Sequence, residues 1–225
     1  MGVVSAAFVF VAWKFGKQRL YSAIVVFLIL ITSFGGKIVE FFGHETNTGN
    51  IFYASVFLAT YFMIERYGKR EGIRSIWIGV IFVFFFAVLT QLAIAFVGSP
   101  STAALNNALS TAFSGSLRLA FASLFAYIFS QSFNVYLYIQ LKERFAHWQV
   151  WVRANVANAA AQIVDSIAFF IIAFWGVVAP SNVWDVLITG YVVKVVYMML
   201  ASPLLYVNNV EEEVEEAVFT TVKFK

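Results

Sequence analysis

From Ile81 to Leu89 the chain reads Ile-Phe-Val-Phe-Phe-Phe-Ala-Val-Leu, with no polar side chain in the stretch. It sits inside a longer apolar run, Ile73–Val97. A bilayer accepts a helix of about 20 apolar residues, because every backbone polar group is satisfied within the helix. A lipid-facing helix is therefore the expected home of this run. Six further apolar segments fit the same description: Val3–Trp13, Leu20–Phe34, Ile51–Ile64, Leu117–Leu141, Val156–Val178 and Val186–Val207. Charged residues make up 12% of the chain, against about 25% in soluble domains. A water-exposed surface cannot be built at that level. No alternating ten-residue pattern of a membrane barrel appears. The reading is an all-α polytopic membrane bundle: a six-span core plus a short N-terminal helix, seven hydrophobic segments in all. It occupies residues 1–210, and an acidic tail, 211–225, follows as a solvated cytoplasmic end.

Basic residues alternate between the loops. Lys14, Lys17 and Arg19 fall in one loop, Arg66, Lys69, Arg70 and Arg74 in another, and Lys142, Arg144 and Arg153 in a third. The intervening loops hold only Lys37 and Arg118. Basic loops stay cytoplasmic, which places the N-terminus outside and the C-terminus inside if all seven segments cross. The pI near 9.1 follows from these loops and calls for the lipid bilayer rather than nucleic acid as partner. A removable signal peptide is not expected, since no basic stretch precedes the first apolar run.

Cysteine is absent, which removes disulfides, thiolate metal sites and cysteine nucleophiles. His44 and His147 fall in loops on opposite sides of the bundle and cannot share a metal, so no cofactor is expected. There is no Gly-rich phosphate loop and no enzyme motif. Gly43 to Asn50 reads as a polar external loop. Gly98 to Ser116 is long, small and uncharged, and reads as a re-entrant or interfacial segment.

The chemistry resides in polar residues at membrane depth. Asn158, Gln162 and Asp165 are spaced by four and three, which puts them on one face of a helix. A carboxylate near the bilayer centre costs roughly 2.5–3.5 kcal/mol unless it is paired or faces a wet cavity. This stripe is either a ligand site or a helix–helix hydrogen-bond cluster. Gln131 and Asn134 share a face of the preceding span. Lys194 lies in the last span, with Asp185 in its neighbourhood and Asp165 across the bundle; a Lys–Asp pair neutralises both charges. Lys37 and Glu40, three apart after Gly35-Gly36, either line a path or form an interfacial pair on one helical face. Glu65 is expected to pair with Arg66 or Arg70, and Gln91 to make an interhelical hydrogen bond.

These residues resemble, in order, the queuosine-precursor transporters, a family of vitamin-type uptake proteins. The likeness runs from Leu20 to Tyr206. Its pieces are Lys37 to Gly43, Gly49 to Tyr53, Phe57 to Thr60 leading to Glu65–Lys69, Ala122 to Tyr127, and Ser130-Gln131 with Asn134-Val135. They continue with Arg153, Gln162 to Ser166, Ile172 to Gly176, and Tyr191 with Lys194 before Pro203. The chain departs from the family pattern at Tyr61 and Asn134, where that pattern has Asp, and at Ala157-Asn158 and Ala161, where it has hydroxyl residues. Ala201 also replaces an Asp. The resemblance implies uptake of a small heterocycle, a 7-deazaguanine in its cyano or aminomethyl form. Asp165 would accept the N–H row of its guanine-like edge, Gln162 and Asn158 would read the ring, and Gln131 and Asn134 would face them. Phe169 or Trp175 would stack on it. A vitamin-capturing subunit that depends on a separate ATPase partner is the second reading, and a homo-oligomer is compatible with either. A seven-helix photoreceptor with Lys194 as Schiff base is disfavoured, because the third span lacks an interior Arg or Asp.

Overall fold

The computed structural model describes residues 1–35, 37–113, 117–174 and 183–206, with 117–120 and 173–174 as backbone. Gly36, Trp175 and the tail from Glu211 to Glu216 lie outside the described residues. The fold is an all-α membrane bundle. Its helices are α1 (Gly2–Lys14), α2 (Lys17–Phe34), α3 (Gly49–Tyr67), α4 (Lys69–Ala95), α5 (Ala103–Phe113), α6 (Leu117–Arg144), α7 (Val150–Phe174) and α8 (Val183–Ala201). Seven of these coincide with the apolar segments of the sequence. Among the described residues, four segments, Lys17–Phe34, Lys69–Ala95, Val150–Ile172 and Val183–Tyr206, are long and apolar enough to cross a membrane.

α3 is the axis of the bundle. Every residue from Tyr53 to Ile64 is buried, and α1, α2, α4 and α8 pack around it. α6 and α7 pack against each other along most of their length. α4 is the opposite case. Ile81, Phe82, Phe84, Phe85, Val88 and Leu89 are exposed, as a lipid-facing helix requires. Only Gly72, Ser75, Ile76 and Gly79 of α4 are buried. Those small residues let α4 approach the bundle closely. A Cβ at Gly79 would stand 2.6 Å from Leu28 Cδ1 and 2.9 Å from Tyr127 Oη.

α1 has 13 residues, about 20 Å of helix against a hydrocarbon core of about 30 Å. Its C-terminal end packs Trp13 on Phe62, with Arg66 Nη1 donating to the Trp13 carbonyl at 3.3 Å. Its start lies against Tyr197, which bonds Ser55 midway along α3. α1 therefore lines half of α3, and the six-span core with an added helix describes the chain better than seven equal spans.

The expected helical continuation through Lys37 and Glu40 is not formed. The chain instead makes a β-hairpin, β1 (Ile38–Phe41) with β2 (His44–Asn47), in antiparallel register Phe41 to His44. Phe42 and Gly43 both take positive φ, 52° and 81°, which is the two-residue turn that suits strand twist. β-Branched Ile38 and Val39 and a turn glycine outweigh the i,i+3 spacing. Glu40 is exposed opposite Glu45, and Lys37 is exposed just ahead of β1, so no helical pair exists. His44 is not merely a solvated loop residue. Its Nδ1 lies 2.9 Å from Asp185 Oδ1, and the Glu45 amide donates to Asp185 Oδ2 at 3.0 Å. The hairpin is thereby fastened to the start of α8. At the other end of the bundle, Glu65 accepts from Tyr138 at 2.7 Å and pairs with Lys142 at 3.1 Å. Both partners lie on α6, across from Glu65. Gln91 makes its interhelical bond, donating to the Phe113 carbonyl of α5 at 2.8 Å.

Candidate functional site

Four helices contribute the deep polar residues. Over residues 49–64, 119–141, 154–174 and 186–206 the sequence holds two charges, Asp165 and Lys194. The fold brings them together, with Lys194 Nζ 2.9 Å from Asp165 Oδ2. Their side chains are only 13% and 9% exposed. Lys194 therefore selects Asp165 across the bundle rather than Asp185 on its own helix. The ammonium also sits 4.8 Å above the ring of Tyr53, a favourable cation–π placement.

The other carboxylate oxygen is occupied as well. The Tyr53 hydroxyl donates to Asp165 Oδ1 at 2.6 Å. Ser130 Oγ lies 2.8 Å from the Tyr53 oxygen and 3.3 Å from Asp165 Oδ1. An ionised carboxylate has about four acceptor positions. The Tyr53 hydroxyl donates to Oδ1 with Ser130 also within reach of it, and among the described residues Oδ2 carries only Lys194. Asp165 thus has room for one further N–H donor while Lys194 stays in place. This narrows the expected side-by-side grip on two N–H groups to a single bond.

A second polar layer lies further along α3 and α6. Gln131 Nε2 donates to Thr60 Oγ1 at 2.7 Å. The Tyr61 hydroxyl donates to Asn134 Oδ1 at 2.5 Å and lies 3.0 Å from the Ala154 carbonyl. Asn134 Nδ2 reaches Gln131 Oε1 at 3.5 Å. Gln131 and Asn134 are fully buried, and their amides are taken up within the protein. Tyr61 and Asn134, two of the positions where the chain departs from the family pattern, are in direct contact.

The stripe on α7 behaves differently. Asn158 and Gln162 are fully buried, and Gln162 Nε2 donates to Asn158 Oδ1 at 3.3 Å. Asn158 Nδ2 and Gln162 Oε1 have no partner among the described residues. Turning both amides over leaves the same complement, one donor group and one acceptor. A buried polar group without a partner costs about 1–3 kcal/mol. Two of them on the face that carries Asp165 are what a ligand with both kinds of edge would satisfy.

Of the residues expected from sequence, Asp165 and Lys194 join α7 to α8, and Gln162 and Asn158 bond each other along the face of α7 that carries Asp165. Gln131 and Asn134 join α6 to α3. Glu40 is on the hairpin and Lys37 just ahead of it, both exposed, whereas the cluster is buried. Tyr53, Ser130, Thr60 and Tyr61 complete the network and were not expected as site members. A signal for Tyr53 and Tyr61 did exist: they are eight residues apart in one apolar run, so both face one way, and a buried tyrosine hydroxyl needs a partner.

The sequence was compared with known proteins. The description "Putative vitamin uptake transporter" matches residues 47–208, which include every polar residue of the two layers and the α7 stripe. The chain belongs to that family. A Bacillus subtilis (strain 168) protein named "Probable queuosine precursor transporter" is 30% identical over 194 residues, covering 85% of this chain and 84% of that relative. No solved structure matches the chain. Family membership makes this a multi-pass membrane transporter rather than an enzyme.

Proposed function

We propose that the chain imports a 7-deazaguanine precursor of a modified tRNA base, in its cyano or aminomethyl form. The observation that carries this reading is the Asn158–Gln162 pair, whose spare donor and acceptor lie on the face of α7 that also presents Asp165. A guanine-like edge offers a carbonyl beside N–H donors. The carbonyl suits Asn158 Nδ2, a ring N–H suits Gln162 Oε1, and a neighbouring N–H suits the open position on Asp165 Oδ2. The relative named as a queuosine precursor transporter supports the same substrate class.

The basic residues between α1 and α2, between α3 and α4, and between α6 and α7 give that end of the bundle to the cytoplasm. The hairpin then faces outward, and import runs from the hairpin toward the basic loops.

The test is a double variant, Asn158→Leu with Gln162→Met. It removes two orphaned polar groups and keeps volume, so the purified protein should melt at the same or a higher temperature. Uptake of labelled precursor into cells lacking other importers should be lost. Undiminished uptake by this variant refutes the assignment. In the wild type, precursor at 100 times its Kd should add about 2.7 kcal/mol of stability, read as a rise in Tm.

A further inference from the structure

The charge balance of the site selects among substrates. This inference rests on the reading above. The membrane-depth stretches of α3, α6, α7 and α8 hold one acid and one base, and these are already paired at 2.9 Å. The remaining groups in the two layers and on the α7 stripe are hydroxyls and amides: Tyr53, Thr60, Tyr61, Ser130, Gln131, Asn134, Asn158 and Gln162. The site is therefore electroneutral before a substrate arrives.

A ligand that brought a formal charge would leave it uncompensated in a poorly solvated interior. A cationic ligand has a second difficulty. Its natural partners are the carboxylate of Asp165 and the ring face of Tyr53; the Lys194 ammonium already neutralises the first and covers the second. Displacing that ammonium moves the problem to Lys194, whose side chain is 9% exposed. A neutral ligand meets neither obstacle and can use the spare amide donor and acceptor directly. We infer that Lys194 is a specificity-determining residue: it makes the site take the uncharged 7-cyano form of a 7-deazaguanine and reject the cationic 7-aminomethyl form.

The experiment is a ligand panel on the purified, full-length wild-type protein, read by thermal shift and by competition with labelled uptake. The panel contains 7-cyano-, 7-carboxamido-, 7-aminomethyl- and 7-carboxy-7-deazaguanine. The first two are neutral, the third is a cation and the fourth an anion. The carboxamide matches the charged forms in size, so it separates charge from bulk. Cyano and carboxamide forms should compete at least about tenfold better than either charged form. Equal or tighter binding of the aminomethyl form overturns the inference while leaving the proposed function intact. Failure of all four to bind overturns the proposed function itself. Lys194→Met supplies a second arm, because it leaves Asp165 and Tyr53 open to an external ammonium. In that variant the order should invert, with the aminomethyl form both binding better than the cyano form and restoring thermal stability. An unchanged order in a folded Lys194→Met protein sinks the role given to Lys194, and if that variant does not fold, the wild-type panel decides.

Discussion

α3 and α4 are consecutive helices, α4 the more apolar of the two, and they end up in opposite environments. α3 carries Tyr53, Ser55, Thr60 and Tyr61 and is buried from Tyr53 to Ile64. α4 carries the Phe-rich stretch and is buried only at Gly72, Ser75, Ile76 and Gly79. In water the more apolar helix would form the core. In a bilayer the lipid is as apolar as leucine, so apolar surface gains little by turning inward. Hydroxyls and amides do gain, because only other helices can bond them. The difference teaches that the interior of this bundle is chosen by polar groups and small residues.

The contrast can be broken in four ways, taken from the largest effect to the smallest. Removing one member of the buried ion pair, by Asp165→Asn or Lys194→Met, leaves an uncompensated charge and should cost about 3–5 kcal/mol. The double replacement should cost much less, and a thermodynamic cycle of melting measurements gives the coupling; additive costs would show that the pair is not energetically joined. Next, Gly79→Val should destabilise by about 1–3 kcal/mol, since its side chain would run into Leu28 and Tyr127 on the one seam where α4 is tight. A neutral result there would mean that α4 shifts freely against the bundle. Tyr61→Phe removes the hydroxyl that donates to Asn134 Oδ1 and should lower stability by about 1–2 kcal/mol; an unchanged melting curve would remove the second polar layer from the energetics. Last, Phe84→Leu and Phe85→Leu on the exposed face should fall within about 0.5 kcal/mol of wild type. A large loss at either would indicate that this face is covered.

Much of this was legible in the residues. The long apolar runs mark the seven bundle helices, with ends up to six residues off at α7 and α8, because periodicity is dispensable when a helix is surrounded by lipid. Asp165 and Lys194 were visible as the two charges that lipid would not tolerate alone. Their pairing with each other, rather than Lys194 with Asp185, depends on how α7 and α8 face one another, which no spacing within one helix records. The hairpin was hidden for a related reason. Lys37 and Glu40 fit an i,i+3 pair, and the competing turn at Phe42-Gly43 is a local signal that was outweighed by the nearby span. Tyr53, Thr60 and Ser130 sit within apolar helices, where spacing along one helix does not show what they face. Only the cross-bundle distances, 2.6 Å from Tyr53 to Asp165 and 2.7 Å from Gln131 to Thr60, turn them into members of a network.

The clasp between His44, Glu45 and Asp185 ties the outer hairpin to a helix that also carries Lys194. Nine residues separate Asp185 from Lys194 on α8, about 14 Å along a rigid rod. The chain has no cysteine, so a thiol introduced as Phe42→Cys at the exposed hairpin tip would be a unique attachment point. A fluorophore there would act as an indicator needle, reporting any tilt of α8 from a solvent-exposed position outside the buried Asp165–Lys194 pair.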